Sequence, residues 1–376
     1  MKKKLLIPTD TFLPKLDGST SFVKNIIPRL AEYYDITVAC PDFGEINRKI
    51  DARLVRFKPM NFKLGDISPC FPNLFTLDTE IKKADIIWIQ GGFGFIGLWS
   101  AILAKKHKKR TALMTHIIEW DVFPKSLGNK YLASPINTAT LAVARKLYNL
   151  CEIVMVPSVE VAELLSLHGF TSKKKIIRLG VDSVKFMPPV SKEKAKEALG
   201  LDPRKYTIGY IGRLALEKDL KTLFRAFKRL SSIHEDSFLV IVGDGRDDVK
   251  KLFIDKPNIK YFGPQSDVVP YFQALDVHVL PSLIETANLA TLEAMSCGLA
   301  VAATPVGYIK EYIQDKFNGL IFKKKDSYML FRRLEVLRSQ AIRAELGKNA
   351  RETVLQNFSI EKTLSDILET LQKLHS

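Results

Sequence analysis

The sequence predicts an α/β protein built from two Rossmann-like halves, each a parallel sheet with helices on both faces. Three observations carry that expectation. The chain has 376 residues, beyond the length at which a single hydrophobic core usually stops growing. Short β-branched or apolar runs alternate with helical patterns along most of it, as in a parallel sheet covered on both faces. The alternation then stops near residue 183 and restarts, which separates the halves.

In the first half the series reads strand 4–8, helix 21–34, strand 36–40, strand 86–89, helix 98–106, strand 111–115, a long helix within 136–149 and strand 153–157. Segment 86–104 is uncharged over 19 residues, near the length of a membrane-crossing helix. Asp85-Ile86-Ile87-Trp88-Ile89 has strand composition, however, and Gly91-Gly92-Phe93-Gly94 breaks the run before a helix restarts. A strand-loop-helix unit is expected there instead. The opening Lys2-Lys3-Lys4-Leu5-Leu6-Ile7-Pro8 lacks the apolar run and cleavage site of a signal peptide and reads as a first strand.

Past Gly180-Val181-Asp182, Pro188-Pro189 and a polar helix 192–199 lead into the second series. It runs through strand 206–211, helix 220–232, strands 238–242, 259–262 and 277–280, helix 289–297 and strand 300–303. The expected domains are 1–183 and 184–359. Segment 360–376 spaces Leu364, Ile367 and Leu371 helically; since the second half already looks complete, this last helix is expected to cross back onto the first.

Hydrophobic residues make up 46% and charged residues 26%, proportions that exclude a disordered chain. Cys40, Cys70, Cys151 and Cys297 have no spacing for a zinc site or a disulfide framework, which fits a reducing cytoplasm. The net charge is +16, and residues 1–183 hold 27 Lys+Arg against 17 Asp+Glu. Basic clusters stand at 2–4, 105–110 and 173–175. Taken singly, each is equally readable as a solvated helix end or loop. Together they suit nucleic acid, anionic lipid headgroups or a phosphorylated substrate. No nucleic-acid motif accompanies them, so peripheral contact with an anionic membrane, at its inner face, is the expectation and a nucleic-acid partner is not.

The chemistry concentrates between Pro281 and Gly298. A strand empties into a loop, Asn288 suits an N-cap, and Gly298 is placed to end the helix at C′. Between Thr286 and Ile309 the only charged residue is Glu293. Its neighbours Leu292, Ala294, Met295 and Cys297 suggest a helix packed on several sides, where an unpaired carboxylate is costly to bury. Paired ribose hydroxyls would satisfy it, and amides near Ala287, Asn288 and Leu289 at the helix start would take a diphosphate. Glu285, at the carboxyl end of the strand, would then face the sugar. Singly, Glu285 also reads as a solvated loop acid and Glu293 as a structural acid bonded to a neighbouring loop. Arg213 and Lys218 follow the strand at 206–211, on the same carboxyl-end face; a fork and a point charge together can stabilise a departing diphosphate.

At these residues the chain resembles the retaining GT-B glycosyltransferases of glycosyltransferase family 4, over nearly its whole length. Their donor segment has the form E-x7-E ahead of an Ala-Met-x-x-Gly turn, matched by Glu285, Glu293 and Ala294-Met295-Ser296-Cys297-Gly298. Gly212-Arg213 with Glu217-Lys218, Val242-Gly243-Asp244-Gly245, Phe262-Gly263, Ala274-Leu275-Asp276-Val277 and Asn318-Gly319-Leu320 follow the family's order, and Gly180-Val181-Asp182 with Phe186 and Pro188 resembles its hinge. Two departures stand out. The family's usual Phe-Gly is Ala287-Asn288 here, and the Gly-Gly of its first loop is Asp17-Gly18, which leaves Gly18 for close backbone approach to a phosphate.

The resemblance implies two domains facing across a cleft, a nucleoside-diphosphate sugar as donor and a hydroxyl acceptor on a lipid, a lipid-linked glycan or a polysaccharide precursor. It assigns Arg213 and Lys218 to the pyrophosphate, Gly263 to the substrate site and His116, after strand 111–115, to the transferred sugar. Taken alone, His116 reads more readily as a structural histidine than as a ligand. Glu119 and Asp121 are open between an acceptor role and solvated loop acids. Retention can arise by two displacements through a carboxylate nucleophile or by front-face attack; the resemblance implies the second, which needs no dedicated base. No Asp-x-Asp pair lies in a credible metal-binding loop, so no metal and no cofactor beyond the donor are expected. The rival readings are a nucleotide-sugar epimerase of the same fold and a non-catalytic protein that binds sugar nucleotides or membrane. An oxidoreductase is disfavoured because neither half has G-x-G-x-x-G after its first strand.

Overall fold

The structure, a computed structural model, describes all residues except 1, 16–17, 48, 63–67, 92–93, 117–129, 286–287 and 375–376. Contacts divide the chain into two units, one of residues 1–178 with 363–376 and one of 179–362.

Among the described residues the first unit holds seven parallel strands: β1 Lys3–Pro8, β2 Tyr34–Pro41, β3 Arg53–Phe57, β4 Ile86–Gln90, β5 Arg110–Met114, β6 Ile153–Val156 and β7 Lys173–Ile176, in the order β3-β2-β1-β4-β5-β6-β7. Every residue of β4 is buried, which is why Ile86-Ile87-Trp88-Ile89 reads as an unbroken apolar run: helices cover both sheet faces. Strand side chains Leu6, Ile87, Ile89 and Leu113 form one core with Leu77 and Ile81 of helix Leu74–Lys83 and Ile96, Ala101 and Ala104 of helix Phe95–Lys106.

The second unit has six: β8 Tyr206–Ile211, β9 Ser237–Val242, β10 Ile259–Tyr261, β11 Val277–Leu280, β12 Ala300–Ala303 and β13 Leu320–Ile321, in the order β10-β9-β8-β11-β12-β13. Helix Leu220–Ser231 buries Leu220, Leu223, Ala226, Phe227 and Leu230, a helical stripe that seats it on this sheet. Buried Lys196 donates to Asp276 over 2.7 Å, and Asp276 also accepts the Thr207 amide at 2.8 Å. The acid of the Ala274-Leu275-Asp276-Val277 motif thus fixes the start of β8.

Several elements differ from expectation. The first helix spans Gly18–Leu30, not 21–34, because Tyr34 begins β2 opposite Lys3. The sequence reading lacked β3, β7 and β13. All three are sheet edges; β7 is Lys173-Lys174-Lys175-Ile176, and an edge needs no apolar side chains on two faces. The units divide between Arg178 and Leu179 rather than near 183. The reason is local: the Val181 amide bonds the Phe358 carbonyl at 2.9 Å and the Ile360 amide bonds the Val181 carbonyl at 3.0 Å. A Cβ on Gly180 would stand 2.2 Å from the Ser359 carbonyl oxygen. In the last helix, Ile360–Lys373, Thr363 bonds the Arg178 carbonyl and Ile367 and Leu371 are fully buried.

Candidate active site

Each sheet reverses its strand order beside its own first strand, between β1 and β4 and between β8 and β11. Loops leaving the carboxyl ends of such a strand pair diverge and leave a crevice where ligands of open α/β sheets bind.

In the second unit the loop after β8 passes Gly212 and Arg213 and closes in a 3₁₀ turn, Leu216–Lys218, ended by Asp219 in the left-handed region at φ 44°. The loop after β11 leads to helix Leu289–Ser296. The Leu283 amide bonds the Glu217 carbonyl at 2.8 Å and ties the two loops together. Across that tie Lys218 Nζ donates to Glu285 Oε1 at 2.7 Å, with the side chains only 15% and 6% exposed. Ser282 Oγ donates to the same oxygen at 2.6 Å and Asn288 Nδ2 at 3.0 Å. One carboxylate oxygen therefore takes three donors, which fix the side chain in place, while Oε2 receives none from the described residues.

Asn288 also caps the helix: its Oδ1 accepts from the Thr291 amide at 2.8 Å. At the other end Gly298, φ +73°, bonds the Met295 carbonyl while Leu299 bonds that of Ala294, a Schellman closure. Leu289 is the first helical residue, and Ala287 lies outside the described residues. Glu293 differs from expectation. Leu292, Ala294 and Met295 are buried but Glu293 is half-buried, because at 100° per residue it falls on the one side of the helix that the core leaves uncovered. Burial alone therefore does not force a ligand onto it.

The Arg213 guanidinium bonds the Glu217 carboxylate, both half-exposed. Tyr210, whose hydroxyl burial holds protonated by pushing its pKa well above the usual value, donates to the Arg213 carbonyl at 2.7 Å. Gly263, φ +69°, accepts the Gly243 amide at 2.8 Å beyond the end of β10. That strand is the sheet edge, three places from β11 and so roughly 14 Å away. Gly243 in turn lies against the loop after β8, since a Cβ on it would stand 1.9 Å from the Gly212 carbonyl oxygen.

In the first unit Gly18 opens the first helix with open space about its Cα. His116 is buried near the end of β5, its Nε2 2.9 Å from Gln90 Oε1 and its ring 5.4 Å from that of Phe22. Glu119 and Asp121 lie outside the described residues. Two groups beside the switch point were missed by the sequence reading. Asp10, just beyond β1, accepts the Ile96 and Gly97 amides at 2.9 and 3.1 Å, so its carboxylate occupies the N-terminus of helix Phe95–Lys106. Desolvation pushes its pKa up to about 6 against those two bonds. Gln90, at the end of β4, keeps a buried Nε2 without a hydrogen-bond partner among the described residues. An acid directly after a first strand was the one available signal.

Two parallel sheets with reversed order, and an acid paired with a cation at the second reversal, define a two-domain α/β protein of the GT-B class. The family described as Glycosyl transferases group 1 matches residues 191–353, and Glycosyltransferase Family 4 matches 16–185. The chain belongs to these group 1 and family 4 GT-B glycosyltransferases. It is 24% identical over 332 residues to the alpha-monoglucosyldiacylglycerol synthase of Streptococcus pneumoniae, covering 84% of this chain and 74% of that protein. It is 27% identical to the GDP-mannose-dependent alpha-mannosyltransferase of Corynebacterium glutamicum, over 86% and 77%. The crystal structure of Anabaena HepE in complex with UDP shares the fold with a TM-score of 0.79, at 19% identity over 99% of this chain and 100% of that one. Among the described residues no helix is long and apolar enough to cross a membrane, and no group of three or more His, Cys, Asp or Glu could hold a metal ion.

Proposed function

We propose that the protein is a retaining, metal-independent hexosyltransferase that moves a hexose from a nucleoside-diphosphate sugar to a hydroxyl on a lipid, a lipid-linked glycan or a polysaccharide precursor. The observation that carries this reading is the bond between Lys218 and Glu285 at the β8 and β11 reversal, beside a helix whose first turn starts at Leu289. The donor diphosphate lies against the amides near Ala287, Asn288 and Leu289, with Glu293 on the ribose. Glu285 keeps Oε2 for a sugar hydroxyl while its other oxygen holds Lys218 in position. Arg213 exchanges Glu217 for the diphosphate at little cost, since a half-exposed ion pair is worth about 0–1 kcal/mol.

In the transfer the bond from the anomeric carbon to the β-phosphate oxygen breaks. The acceptor oxygen bonds that carbon on the same face, and its proton goes to the departing phosphate. Arg213 and Lys218 neutralise charge as it builds on the diphosphate. The relatives named for glucosyldiacylglycerol synthesis and GDP-mannose-dependent transfer support a hexose donor and a glycan or lipid acceptor. The positive excess of residues 1–183 supports work at an anionic membrane surface.

Thermal-shift screening of nucleotide-sugars identifies the donor, because a ligand that binds the native state raises its stability by mass action. Transfer with that donor, analysed for anomeric configuration by NMR, then tests the reaction. An inverted product, or epimer formed without acceptor, overturns the reading. Loss of transfer on chelation, restored by Mg²⁺ or Mn²⁺, overturns metal independence.

A further inference from the structure

We propose that Gln90 is a positioning residue for His116: its side-chain oxygen accepts the imidazole hydrogen on Nε2, which sets the ring's tautomer and orientation for contact with the transferred sugar. The inference deepens the transferase reading above and rests on it, together with the sugar role that the resemblance gives His116.

Gln90 is the last residue of β4 and lies opposite Met114, the last of β5. Alternate strand residues share a face, so Trp88 and Gln90 point to one side of the sheet, and His116, two residues past Met114, returns to it. The ring of Phe22, from the first helix, closes over this side: it meets Trp88 edge-on at 6.4 Å and His116 at 5.4 Å. Phe22 thus confines the imidazole plane, and Gln90 Oε1, 2.9 Å from Nε2, fixes which way the ring turns within it. An amide oxygen can only accept. A neutral imidazole facing it therefore carries its hydrogen on Nε2 and its lone pair on Nδ1.

Packing does not account for a glutamine at this position. Gln90 is 2% exposed, and its Nε2 has no hydrogen-bond partner among the described residues. Leaving a buried donor unpaired costs stability that an apolar side chain of the same length would not. The rest of the strand, Ile86, Ile87, Trp88 and Ile89, is apolar. The polar residue stands only where the strand reaches the crevice and the histidine. A local rule broken at one such position is expected where function, rather than packing, sets the residue.

The test compares the full-length wild type with Gln90→Met, Gln90→Glu and His116→Ala. Gln90→Met keeps the shape and removes the acceptor; kcat should fall roughly 10- to 100-fold, the scale of misplacing a group that orients substrate. Its affinity for nucleoside diphosphate, read by calorimetry, should stay unchanged. Its unfolding temperature should equal or exceed that of the wild type, since the unpaired amide leaves with the acceptor. Gln90→Glu restores an accepting oxygen and should recover most of kcat. Nitrogen NMR of isotopically labelled histidine reads the tautomer without substrate. The wild-type His116 signal, assigned by its loss in His116→Ala, should show the hydrogen on Nε2, and Gln90→Met should show both tautomers. A wild-type hydrogen on Nδ1, or a Gln90→Met variant as active as the wild type, overturns the inference. So does a Gln90→Met variant that unfolds at a lower temperature and is not rescued by Gln90→Glu, the mark of a structural role. Full transfer by His116→Ala overturns it and leaves the transferase reading standing, whereas a wild type that transfers from no nucleotide-sugar overturns both.

Discussion

Lys218 Nζ stands 2.7 Å from Glu285 Oε1, and that contact joins residues 67 positions apart across the point where the second sheet reverses. It fixes the cation proposed for the diphosphate and the acid proposed for the sugar in a single geometry. Lys218→Ala should lower kcat/KM about 100-fold, the scale of losing one preorganised electrostatic contact. Combined with Glu285→Gln the loss should fall well short of the product of the single effects, since paired groups act as a unit. Fully multiplicative losses in steady-state kinetics would show that the two act independently.

Glu293→Ala should weaken nucleoside-diphosphate affinity about tenfold, the loss of a charged hydrogen bond. Glu285→Ala should leave that affinity nearly intact while transfer falls. Calorimetry with the nucleotide alone separates them; equal affinities in the two variants would remove the distinction between ribose and sugar roles.

A Cβ on Gly94 would stand 1.8 Å from Asp10 Cγ. Gly94→Ala should therefore destabilise the first unit by about 2–4 kcal/mol, the range of an overpacked or network-breaking change. Asp10→Gly in the same chain should recover much of that loss. Urea unfolding followed by tryptophan fluorescence reads it, since Trp88, Trp99 and Trp120 all lie in the first half. A double variant no more stable than Gly94→Ala alone would place the damage elsewhere.

His278 is fully buried, its Nδ1 has no partner among the described residues, and burial holds its pKa down to about 3. The ordinary value near 6.5 applies on unfolding, so between about pH 3 and pH 6.5 the unfolded chain binds the extra proton. Its stabilisation is complete above about pH 6.5 and is lost as pH falls toward 3, by up to ~1.4 kcal/mol per pH unit. His278→Leu should flatten the acid limb of the stability profile, measured by circular dichroism in urea at several pH values. An unchanged slope would show that other groups carry it.

Legibility in the sequence followed burial. Strands β1, β4, β8 and β11 are central, covered on both faces, and their apolar runs announce them; β3, β7 and β13 are edges whose composition is free of that demand. The caps of helix Leu289–Ser296 were legible too, because Asn288 and Gly298 act within a few residues of themselves. Asp10 was not, since the amides it accepts are 86 and 87 positions away.

By itself the sequence determined the two α/β halves, the family resemblance and the E-x7-E segment, all of which follow from local periodicity and short motifs. Tertiary structure decided what holds Glu285 and how far Glu293 is covered. Apolar neighbours along the chain drew attention to Glu293, yet helix rotation leaves it half-buried. Glu285 receives Lys218, Ser282 and Asn288 on one oxygen. That arrangement depends on β8 and β11 lying side by side, a pairing of distant segments that no local pattern encodes.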